Sequence, residues 1–113
     1  MHELGVTESV LRLVVEEGER HKASRITAVN LEIGEFASIV PDAVEFYWSF
    51  LAEGTIARGA QLNWRTIPAE ARCWVCDMVY RPAARDLTCP SCGSAQAHLL
   101  AGEEFRVESI EVE

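Results

Sequence analysis

The sequence predicts an α+β fold: two helices packed on a three-stranded sheet, with a small zinc-ribbon-like module inserted before the last strand. Three observations carry the prediction. Two segments repeat apolar residues at helical spacing, three others read as strands, and four cysteines form two C-x-x-C pairs between the second and third strands.

In chain order, Leu4 to Gly18 places Leu4, Thr7, Leu11 and Val14 on one helical face, widened by Val10 and Val15. His21 and Lys22 follow where the C-terminal end of a helix favours positive charge, so His21 is expected to cap that end. From Ile26 to Ile33, Val29, Leu31 and Ile33 alternate with Asn30 and Glu32, the signature of a half-buried strand, and Gly34 ends it. Pro41 suits the first position of a second helix, and Asp42 its first turn. There Ala43, Phe46, Tyr47 and Phe50 share a face, Val44, Trp48 and Leu51 extend it, and this aromatic-rich helix is expected to fill the centre of the core. A second strand is expected from about Ala60 to Ile67, stopped by Pro68. The last runs from Glu104 to Val112. Its apolar residues change parity between Phe105/Val107 and Ile110/Val112, which calls for a bulge or burial on both faces.

The cysteines carry the firmest chemistry. "CWVC" (Cys73, Cys76) and "CPSC" (Cys89, Cys92) are separated by twelve residues expected to form a hairpin. Each C-x-x-C is a tight turn that turns two sulfurs to one side, and two such turns brought together make a tetrahedron of thiolates suited to Zn(II). Gly93 lets the backbone curl round the second pair, whereas Asp77 occupies the equivalent position after the first. Four cysteines leave no open coordination position, so the metal is expected to be structural. Iron would accept the same ligands. A thioredoxin-like redox pair would leave the second C-x-x-C unexplained.

The 113 residues carry a formal net charge of −8 and are 49% hydrophobic. That charge opposes binding to nucleic acid, and no apolar stretch is long enough to span a membrane. Glu3 and Glu8 stand where a signal peptide would be basic, so a cytoplasmic location is expected, where thiols stay reduced. No serine–histidine–acid set, phosphate-binding glycine loop or convincing carboxylate pair points to an enzyme.

The chain starts "MHEL". The α-amine of Met1, with the amide and imidazole of His2, can form fused chelate rings of the square-planar kind that Ni(II) and Cu(II) favour, and the amide of Glu3 could add a donor. Taken alone, a histidine at this place is more often incidental, and copper would bind it more tightly than nickel. His98, in "AQAHLL", is either an ordinary partly buried histidine or a fourth ligand to that terminal site.

Taken together, "MHEL", "VNLEIGEFASI", "PDAVEFYW", the two C-x-x-C pairs with "CPSCGS" and the closing "FRVESIEVE" resemble the HypA/HybF family of hydrogenase-maturation nickel metallochaperones over the whole chain. The resemblance implies Ni(II) carried as cargo by Met1, His2 and Glu3, and structural Zn(II) held by Cys73, Cys76, Cys89 and Cys92. It implies a nickel-binding α+β domain over residues 1–69 and 102–113 and a zinc-binding module over 70–101. It also implies work with a partner hydrogenase-maturation GTPase to load the large subunit of [NiFe]-hydrogenase, and, in some bacteria, supply of the urease maturation proteins. Some relatives carry histidines beside the cysteines. Here the flanking residues are Arg72, Trp74, Asp77, Pro90 and Gly93, so a pH-sensing role for such histidines does not carry over. The competing reading is a zinc-ribbon adaptor that binds another protein, with no nickel function.

Overall fold

The computed structural model describes residues 3–113. Its elements are α1 (Glu3–Arg20), β1 (Ile26–Gly34), α2 (Pro41–Leu51), β2 (Gln61–Ile67), β3 (Glu70–Cys73), β4 (Val79–Tyr80), β5 (Ala97–Ala101) and β6 (Phe105–Val112). They form two three-stranded sheets, ordered β2-β1-β6 and β4-β3-β5. Two compact units result. One takes in the chain up to Glu32 with Ile39–Arg65 and Arg106–Glu113; the other takes in Ile33–Ser38 and Thr66–Phe105. The unit that holds the cysteines therefore includes the β1–α2 connection, "IGEFAS", as well as the residues around the C-x-x-C pairs.

In the first unit β1 is the central strand, which explains why Ile26, Val29 and Leu31 are buried. Paired main-chain bonds between Arg25 and Glu113 set β6 antiparallel to it. On the other side Asn63 Nδ2 donates to Asn30 Oδ1 at 2.9 Å and Arg65 pairs with Glu32, an advance in the same direction, so β2 runs parallel to β1 with α2 as the crossover. Glu32, which alternation alone would send to solvent, is 2% exposed and held between Arg65 of β2 and Arg106 of β6. Two guanidiniums over one carboxylate compensate its burial and tie the three strands together. The parity change foreseen in β6 is present: half-buried Phe105 and Val107 are followed by two exposed residues before half-buried Ile110.

The helices start where the sequence places them, and Pro41 occupies the first turn of α2. The aromatic face of α2 is a correction. Val44, Trp48 and Ala52 are buried, whereas Phe46 is 64% and Phe50 50% exposed, and Phe46, Tyr47 and Phe50 stack edge-to-face on one another. The helix carries two apolar stripes, and the core has room for only one. Burying Val44 and Trp48 at a spacing of four brings α2 against α1, where Val10 and Val14 complete the layer.

Candidate metal centre

The second unit is built on a sheet whose outer strand β4 lies between the cysteine pairs, and within that same segment Ala83 and Asp86 form an antiparallel bridge across a tight turn. β3 lies between β4 and β5 and is antiparallel to both, with Arg72 opposite Val79 on one side and His98 on the other. Cys73 ends β3 opposite Ala97, so the chain beyond the second cysteine pair returns along the strand that carries the first. Both β3 and β5 escaped the sequence reading. They are four and five residues long, and their pairing partners are distant in sequence. Ala71, Cys73, Tyr80 and Cys89 form a small core with Leu87, Ala97 and Leu99 around it, and the Tyr80 hydroxyl donates to the Leu87 carbonyl.

The two cysteine turns are superposable in their hydrogen bonds. Cys73 N–H donates to Met78 O at 2.8 Å and Asp77 N–H to Cys73 O at 3.0 Å; Cys89 N–H donates to Ser94 O at 2.8 Å and Gly93 N–H to Cys89 O at 3.0 Å. The residue that closes each turn has positive φ, 67° at Asp77 and 77° at Gly93. Glycine adopts that conformation without strain, and aspartate is among the few side chains that tolerate it. The equivalence of Asp77 and Gly93 is thus a matter of backbone geometry that residue type alone conceals.

All four Sγ atoms lie within 4.8 Å of one another, with Cys73–Cys92 and Cys76–Cys89 both at 3.6 Å. A tetrahedral metal with bonds of about 2.3 Å sets sulfurs roughly 3.8 Å apart, and a disulfide would need about 2.05 Å. The four residues are free thiols in a geometry that fits a tetrahedral metal ion. Main-chain N–H groups prepare two of them as thiolates. Those of Cys76 and Val75 point at Cys73 Sγ and hold its pKa down at about 7, and those of Cys92 and Ser91 lower Cys89 in the same way. At Cys92 the Ser94 N–H favours the thiolate, but burial and the neighbouring thiols outweigh it and push the thiol up to about 11. Without a metal, then, the cluster keeps protons at neutral pH, and metal binding must release them.

His98 sits on β5 opposite Arg72, its ring tilted by 40° against that of Trp74 with centroids 4.4 Å apart. Its Nδ1 is buried and, among the described residues, has no hydrogen-bond partner. Met1 and His2 lie outside the described residues. Glu3 is described: it opens α1, its carboxylate accepts the Val40 N–H at 3.1 Å, and its carbonyl accepts the Thr7 hydroxyl. That bond to Val40, immediately before Pro41, fixes the start of α2, and the main-chain N–H groups of Glu3 itself and then of Val40 draw the Glu3 pKa down. The carboxylate is therefore committed to the fold. His21 accompanies the end of α1 as expected, its Nε2 3.0 Å from Glu17 Oε2.

A family model described as "Hydrogenase/urease nickel incorporation, metallochaperone, hypA" matches residues 1–112. The chain belongs to the HypA family. Hydrogenase maturation factor HypA of Dehalococcoides mccartyi is 42% identical over 113 residues, 100% of this chain and 95% of the relative. The HybF factor of Salmonella typhimurium is 35% identical, with both chains covered in full. Among solved structures, the nickel metallochaperone HypA of Helicobacter pylori superposes with a TM-score of 0.68 at 28% identity, over 99% of this chain and 97% of the other. This HypA-family chain is thus a nickel-incorporation metallochaperone for hydrogenase maturation and not an enzyme. None of its helices is long and apolar enough to cross a membrane, among the described residues.

Proposed function

We propose that the chain carries Ni(II) on its first three residues and hands it over without performing chemistry on it. The ligands in this reading are the Met1 α-amine, the His2 amide and imidazole and the Glu3 amide. The observation that supports it best is the match of the nickel-incorporation family model over residues 1–112, a span that takes in Met1, His2 and Glu3. A terminal planar site is open to an acceptor's ligands, and protonation of the amide nitrogens loosens the metal stepwise during exchange.

Zn(II) in this reading is held by Cys73, Cys76, Cys89 and Cys92, where it supplies only structure, because the four sulfurs complete its coordination. The working place is the cytoplasm, and the partners are a hydrogenase-maturation GTPase and the hydrogenase large subunit, with urease maturation proteins as a second destination.

The test is nickel titration of the native chain, of His2→Ala and of a chain with one residue added before Met1. Both changes are expected to abolish stoichiometric nickel binding while zinc content stays unchanged. Equal nickel binding by all three would leave a zinc-ribbon adaptor as the better reading.

A further inference from the structure

β6 is an edge strand: among the described residues no strand pairs with its outer side. Eight residues long, it contains neither proline nor lysine, two of the usual devices that keep an edge from pairing. Beside it runs a groove of about 510 Å³ whose helical wall is Leu13 and Glu17 of α1, continued by His21 just past the helix end, at successive spacings of four. The strand side of the groove is Val107 to Ile110 with Val112. Buried Val14 forms its floor, and Leu13 and Val112 stand at its rim, 52% and 45% exposed. An open ladder of main-chain groups next to an apolar channel is the arrangement that accepts an added strand: the backbone pairs, and alternate side chains enter the channel.

The charges decide what kind of strand. β6 and the residue after it carry Glu108, Glu111 and Glu113, against Arg106, which is committed to Glu32. Glu17 is satisfied by Arg20 and His21, and Glu108 has Arg65 at 3.8 Å, so Glu111 and Glu113 are the acidic groups least compensated by cations. Pairing with a second copy would set these glutamates against each other in molecules that each carry a net charge of −8. We propose that the β6 edge and its groove form a docking site for an extended, basic segment of another protein, added as a fourth strand with its apolar side chains against Leu13 and Val112. The site uses residues remote in sequence from Met1–Glu3 and from the cysteines, so it stands or falls independently of the nickel reading.

A capped peptide of alternating valine and lysine, about ten residues long to match the edge, is the probe, titrated into the ¹⁵N-labelled, zinc-loaded full chain. The expected result is shifts and slowed hydrogen exchange concentrated at Arg106 to Val112. The glutamate version of the peptide should bind at least about tenfold more weakly, and N-methylation of alternate residues should abolish binding. Leu13→Arg, at an exposed helical position, should also abolish it while the rest of the spectrum is preserved. The proposal fails if the lysine peptide does not bind at millimolar concentration, or if Leu13→Arg or N-methylation leaves binding intact. Shifts scattered over the acidic surface without protection at β6 would overturn it too. Dimerisation of the free chain through β6 would make a second copy the occupant instead.

Discussion

Replacing Gly34 by alanine places a carbon where the fold has no room for one. A Cβ built at Gly34 lies 2.2 Å from both C and O of Gly102 and 2.6 Å from N of Glu103. Carbon atoms in ordinary contact stand about 3.5–4 Å apart, so the backbone at 102–103 would have to retreat by more than about 1 Å. It is held there by three bonds: Gly34 N–H to Glu104 O at 2.6 Å, Phe36 N–H to Gly102 O at 2.7 Å, and Gly102 N–H to Glu104 Oε1 at 2.8 Å. Nor can Gly102 easily yield, since its φ is +115° and its own Cβ position would fall 2.6 Å from Ala69 Cα. Loss of two such bonds at about 1 kcal/mol each, with overpacking of about 1–3 kcal/mol, gives a cost of about 3–5 kcal/mol. Against a total stability of about 5–15 kcal/mol, that is a severe change, equivalent to a fall in Tm of roughly 12–20 °C. Urea denaturation of zinc-loaded protein followed by circular dichroism measures it. Gly5→Ala is the control: Gly5 is exposed in α1 with nothing within 4 Å of its Cβ position, so alanine should stabilise by about 0.5–1 kcal/mol. If Gly34→Ala unfolds within about 1 kcal/mol of the native chain while Gly5→Ala behaves as stated, the close approach of the two backbones is not real.

Four further changes probe the cysteine unit and the head of α1. Chelation of its metal should abolish amide protection at Ala71 and Leu99 but spare α1 and α2, because Cys73 and Cys89 are half of the four buried residues in that unit's cluster; retained protection of β5 in chelator would refute this. Gly93→Ala should weaken zinc retention by about 1–2 kcal/mol, the cost of a Cβ at positive φ, whereas Asp77→Gly should weaken it not at all, as measured by competition with a chromogenic chelator. Glu3 has a folded pKa below its ordinary 4.5, so its contribution is complete above that value and disappears as pH falls through the lower one. In Glu3→Gln that part of the acid dependence should be missing from a pH series of unfolding curves; an unchanged profile would show that the main-chain hydrogen bonds to the Glu3 carboxylate, from Glu3 itself and from Val40, do not matter.

Several elements were readable because their physics is local. A stripe at helical spacing marks α1, Pro41 marks the head of α2, alternation marks β1, and two C-x-x-C turns mark a thiolate site whose sulfurs do come together. Periodicity, however, measures only how apolar residues are distributed within one segment. On α2 it shows two apolar stripes and does not say that Phe46 and Phe50 face outward while Val44 and Trp48 face in. The candidate metal centre divides the same way. Cysteine spacing names the ligands, but the strands that bring Cys73 and Cys92 to 3.6 Å, β3 and β5, are short and acquire their pairing only from each other.

What the sequence determined by itself was therefore the inventory: which segments are helices or long strands, which four sulfurs are spaced to share a metal ion, and which family the whole pattern resembles. Tertiary structure alone decided that β1 and β2 run parallel across α2, that Glu32 is buried beneath Arg65 and Arg106, and that Asp77 takes a glycine's conformation. It also decided that the β6 edge is left open beside an apolar groove. Each of these depends on which distant segment arrives alongside. A chain encodes such meetings only through the summed fit of all its surfaces, and no window along it contains both partners.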